Sequence, residues 1–162
     1  MDKERAYELG NLAADFYLHH PDFGEPVANR VNTAFSFHAR DSLPDDAVAA
    51  VVEHPERLPL ILAATGSRLY LLDVAGGADQ EDGEIETRCR CFLLDPATVW
   101  LAQKARYWRA EGGGHPRRHT WTLGVADLEV AIHGQVAADG REDDHERLAR
   151  RVAQGLGWQV PE

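Results

Sequence analysis

The chain is poor in cysteine, poor in positive charge and without a long apolar run, and each shortage removes a class of protein. Its two cysteines, Cys89 and Cys91, form a single C-x-C pair. A disulfide framework is excluded, and no second pair exists to complete a tetrahedral metal site. On a strand the two point to one face, where they are expected to pack as small apolar residues. No apolar stretch approaches the roughly 18 residues of a membrane span. The opening MDKERAYELGNLAADFY has neither a continuous apolar core nor a small-residue cleavage site, so it is not read as a signal peptide and the expected location is cytoplasmic.

Recognisable catalytic motifs are absent as well: no Gly-x-Ser-x-Gly elbow, no His-Glu-x-x-His, no phosphate-binding Gly-x-x-x-x-Gly-Lys and no Gly-x-Gly-x-x-Gly. His115 and His119 have the spacing of zinc ligands on a helix, but three glycines and Pro116 point to a polar loop. His133 reads as an exposed strand residue. The acidic stretch around Asp79, Glu81, Asp82 and Glu84 lacks the spacing of a calcium loop. No catalytic residue, metal site or cofactor is expected, and the chain is read as a non-enzyme.

The composition is that of an ordinary globular protein, 44% hydrophobic and 27% charged, with a formal charge of −10. At 162 residues it is long enough for a core of its own. The charge is uneven: residues 104 to 121 carry five basic side chains and one acidic, and the rest of the chain is acidic. The total disfavours general nucleic-acid binding, because such binding draws on summed positive potential.

The clearest structural signal is LILAATGSRLYLLDV at residues 60 to 74. Two apolar runs flank Gly66-Ser67, which suits a β-hairpin with a type II′ turn. Neither run alternates, so both faces of the hairpin are expected to be covered. Residues 3 to 18 have helical spacing, with Asp2 placed to cap and His19-His20-Pro21 to stop the helix. Residues 21 to 29 read as a loop. Residues 33 to 40 alternate as a strand, and Ser42, Pro44 and Asp45 open a short helix reaching about His54, with a strand as the alternative because of the valines. Residues 85 to 94 alternate over ten positions. Residues 95 to 111 fit a helix and a bent strand about equally by pattern. Trp121 to Val125 and Leu128 to Ile132 form a second hairpin. Glu142-Asp143-Asp144 load the first turn of a closing helix, after which Trp158 is expected to tuck against the sheet.

This order of about seven strands and one C-terminal helix resembles the pleckstrin-homology-like superfamily, in particular its bacterial members. The stretches that carry the likeness are LILAATGSRLYLLDV, CFLLDPATVW, and HTWTLGVADLEVAIHGQV followed by ERLARRVAQGLGW, within residues 46 to 158. The resemblance implies an α+β fold: a partly open antiparallel β-barrel with a C-terminal capping helix. It implies a strand for residues 99 to 109, paired with residues 117 to 125 across the triglycine. The division expected is a domain over 41–162 preceded by a helix-and-strand extension over 1–40, whose helix could also pair copies of the chain.

The residues singled out as a binding surface are Lys104, Arg106, Tyr107, Trp108, Arg109, Arg117, Arg118 and Trp121. Paired across the triglycine they gather at one end of a β-ribbon, and arginine beside large aromatics is the composition of interaction hot spots. The function expected is a cytoplasmic interaction module for a protein partner. An acidic inhibitor or immunity-type protein, and an enzyme without a readable motif, stand as alternatives.

Overall fold

A computed structural model describes residues 1–54, 57–78 and 83–159, Arg57 by its backbone only. The chain is α+β: the described residues form three helices and seven antiparallel strands in two sheets, neither closed into a barrel. Helices α1 (Lys3–His19) and α2 (Glu25–Ser42) precede β1 (Val48–His54), β2 (Arg57–Ala64), β3 (Arg68–Gly76) and β4 (Glu86–Leu93), which form one sheet in that order. Strands β5 (Val99–Tyr107), β6 (Arg117–Val125) and β7 (Leu128–Val136) form the second, and α3 (Asp144–Gly155) closes the chain.

Residues 60 to 74 form the β2–β3 hairpin, with Ile61 opposite Leu72 and Ala64 opposite Leu69. The expected type II′ turn is not made, because Gly66 does not take a positive φ. The Thr65 hydroxyl accepts from Ser67 N–H (3.4 Å) and Arg68 N–H (3.1 Å) and sets the turn instead. Strand β2 is buried on both faces. Leu60, Leu62 and Ala64 join a core shared with Leu69, Leu71, Trp121, Leu123, Ile132, Leu148 and Val152, between the two sheets and α3. Ile61 and Ala63 join a second core with Leu9, Tyr17, Phe35 and Leu72, between the first sheet and the helical pair.

The front of the chain corrects the sequence reading twice. Residues 25 to 42 are one helix where a loop and a strand are expected. Val27, Ala28, Val31, Phe35 and Ala39 are buried at helical spacing, Pro26 sits in the first turn, and Phe37 of the apparent alternation is exposed. Residues 1–42 therefore hold two helices and no strand, and the second helix runs across the boundary expected at residue 40. The helices approach closely at Gly10, where a Cβ would lie 2.1 Å from Ser36 Oγ. The short helix expected up to His54 is strand β1, pairing Val48 with Ala64 and Val52 with Leu60. Its β-branched valines prevail over the cap-like Ser42 and Pro44.

Residues 99 to 107 are a strand and not a helix, paired with β6 throughout. Cys89 packs against the second core, whereas Cys91 lies beyond the helical cover and is exposed. Part of the acidic loop, residues 79 to 82, lies outside the described residues. No described helix is long and apolar enough to cross a membrane.

Candidate functional site

Successive strand residues point to opposite faces, so the basic segment divides between two surfaces. Trp100, Lys104, Arg106 and Arg118 lie on the outer face of the β5–β6 ribbon, since Arg106 pairs with Arg118 and Lys104 with Thr120. The Arg118 guanidinium stands 5.6 Å from the ring centroid of Trp108. Trp100 is half exposed and lies flat over Gly124, where a Cβ would meet its indole nitrogen at 1.8 Å. Glycine is required there by that close approach. The side chains of Lys104, Arg106 and Arg109 form no ion pair or hydrogen bond among the described residues.

Tyr107, Arg117 and Trp121 sit on the inner face, with Tyr107 opposite Arg117. The eight residues named from the sequence therefore do not make one surface. Lys104, Arg106, Trp108, Arg109 and Arg118 remain available on the outer side and at the tip. Trp121 is buried to 2% exposure and is part of the core.

The inner face holds a polar network that the sequence does not announce. Glu146, in the first turns of α3, is fully buried. Its Oε1 meets His119 Nδ1 at 2.6 Å and accepts from Arg150 Nε at 3.0 Å, while Oε2 accepts from Trp121 Nε1 at 2.9 Å. Arg150 also faces Glu142 at 3.4 Å. Three donors converge on one carboxylate, which is how a buried charge is kept in a core. Gly134 of β7 makes the room: a Cβ there would lie 2.2 Å from Glu146 Oε2. His119 is thus a buried strand residue, not the loop histidine expected, whereas His133 is exposed as expected. Asp143 caps α3 by accepting from Glu146 N–H at 2.8 Å, so the acidic triplet serves the helix end.

Beside this network opens a cavity of about 480 Å³ between β5, β6 and the end of α3. Tyr107, His119 and Trp121 line one side and Trp158 the other, with the Trp121 and Trp158 ring centroids 5.8 Å apart. Trp158 packs against the sheet as expected. Neither serine, threonine nor cysteine lines the cavity. Among the described residues no group of three or more His, Cys, Asp or Glu is placed to hold a metal ion.

The missed residues had a weak signal. Gly134 in mid-strand marks a close approach from another element, and a core tryptophan needs a partner for its indole N–H. Neither says that the partner is Glu146, a distant residue on another element. Comparison with protein-family models, with curated proteins and with solved structures finds no match to this chain.

Proposed function

We propose that this chain is a non-enzymatic interaction module of pleckstrin-homology-like architecture, acting in the cytoplasm, that binds an acidic segment of a protein partner on the outer face of its β5–β6 ribbon. The architectural part draws on the order of four strands, three strands and a helix, with Leu148 and Val152 of α3 seated in the core between the sheets. The binding part draws on one observation. Arg106 and Arg118 stand directly opposite each other on an exposed face, in a chain of net charge −10. Like charges directly across a sheet repel, and none of the nearby cations on β5 is neutralised by a carboxylate among the described residues. A partner carboxylate placed between the two guanidinium groups relieves that repulsion and gains charge-assisted hydrogen bonds. Exposed Trp100 and Trp108 flank the cations and supply apolar contact area.

The test is affinity capture with the wild-type chain and the Arg106→Glu/Arg118→Glu double variant, at low and moderate salt after nuclease treatment. The reading expects a stoichiometric protein that the wild type retains, that moderate salt weakens and that the folded double variant fails to hold. A folded double variant that retains the same protein overturns it.

A further inference from the structure

We propose that the cavity beside the His119–Glu146 pair is a small-molecule site for a planar aromatic monocarboxylate carrying a hydroxyl or N–H donor, separate from the ribbon surface. The volume of about 480 Å³ falls in the range of ordinary ligand pockets, which are mostly apolar with a few convergent polar groups. The rings of Tyr107, Trp121 and Trp158 line it, with Trp121 and Trp158 already in contact, and offer apolar surface against which a flat ring packs.

Two polar groups set the charge and polarity of the occupant. Arg117 lines the cavity, and its guanidinium forms no ion pair or hydrogen bond among the described residues, so one anionic group can take its fork. Arg150, in contrast, is held by Glu146 and Glu142. Glu142 lines the same cavity, and its carboxylate repels a second negative charge on the ligand. A single anion fits and a polyanion does not.

His119 supplies the second contact. Trp121 and Arg150 already donate to Glu146, whose carboxylate is acceptor-only, so the proton of the short His119 contact belongs to Nδ1. His119 lines the cavity, and its Nε2 makes no hydrogen bond among the described residues, so we assign it as the acceptor for the ligand's donor. The pairing with Glu146 holds the tautomer and the ring orientation. His119 and Arg117 are two apart on one strand, so both face the cavity, about 7 Å apart along the backbone. A ligand with a carboxylate at one end of a ring and a donor at the other reaches both.

The experiment follows the four indole N–H signals of the full, isotope-labelled chain by NMR during titration with 4-hydroxybenzoate. Trp121 and Trp158 are expected to shift with saturation at roughly millimolar ligand or below, and Trp100 and Trp108 to stay in place. The uncharged 4-hydroxybenzyl alcohol, and 4-hydroxybenzoate with the Arg117→Ala variant, are each expected to bind at least about tenfold more weakly. The Arg106→Glu/Arg118→Glu variant, changed only on the outer face, is expected to bind 4-hydroxybenzoate as the wild type does. No shift at Trp121 or Trp158 up to about 10 mM, or equal binding by Arg117→Ala, overturns the assignment.

Discussion

Gly134 and Glu146 are matched in shape: the missing side chain of one is the space occupied by the carboxylate of the other. The carboxylate in turn fixes His119, Trp121 and Arg150. A single glycine on β7 therefore underlies the whole polar floor of the cavity.

Replacing Gly134 with alanine is expected to destabilise the protein by about 1–3 kcal/mol, the usual cost of forcing a methyl into a packed site. Urea unfolding measures it. Ordinary strand propensity favours alanine over glycine, so an unchanged or raised midpoint would show that Glu146 does not sit against β7.

Arg118→Glu converts the repelling cross-strand pair with Arg106 into an attractive one. Stability is expected to rise by about 0.2–1 kcal/mol while partner capture falls. Thermal unfolding and capture are thus predicted to move in opposite directions. A simple surface charge without a ligand would change the first and leave the second alone.

The pH dependence of stability carries a signature of Asp144. Burial raises its carboxyl, but the hydrogen bond and charge of Arg147 and the charge of Arg5 outweigh this and hold it below its ordinary value. A depressed folded value means that the ionised form stabilises the fold. The contribution is complete above the unfolded value of about 3.9 and is lost as pH falls through the folded value. The side chain is about a third exposed, so Asp144→Asn is expected to cost only about 0.5 kcal/mol at neutral pH. The difference from wild type, followed by chemical unfolding, is expected to vanish toward pH 3 and below.

Tyr17 lies in the second core with its hydroxyl buried and unpartnered among the described residues. Burial, with the charge of Asp73 adding to it, pushes the phenol well above its usual range. Tyr17→Phe keeps the ring contact with Phe23 and removes a group that loses its hydration on folding. The variant is expected to be as stable as wild type or up to about 1 kcal/mol more stable. A clear loss of stability would reveal a hydrogen bond to that hydroxyl.

Much of the sheet was legible because periodicity and turn residues agree there. Residues 60 to 74, 85 to 94 and 117 to 136 alternate or run apolar between clear breaks, and α3 has both an acidic start and an apolar stripe. The front misleads because Thr33 to Arg40 satisfies two periods at once. Phe35 and Phe37 suggest alternation, while Val31, Phe35 and Ala39 share a helical face that only the packing of α1 selects. At the site, the cations were legible as a cluster but not as two surfaces. Arg117 and Arg118 are neighbours on one strand and so must diverge, a rule available from the sequence once the strand is accepted. The pairing of His119 with Glu146 depends on the angle at which α3 crosses β6 and β7, and no local pattern encodes that angle.

Strand β2 has a consequence for how the molecule opens. From Leu60 to Ala64 its even-numbered side chains join the core between the sheets and α3, and its odd-numbered ones join the core under α1 and α2. Peeling the helical pair away leaves Ile61 and Ala63 facing water, and lifting α3 opens one side of the core that Leu60 and Leu62 share with the second sheet. Neither half loosens without weakening the wall of the other, so β2 and its β3 partner belong to the slowest amide-exchanging unit of the protein. A ligand that tightens the cavity side thereby slows fraying of helices that it never touches.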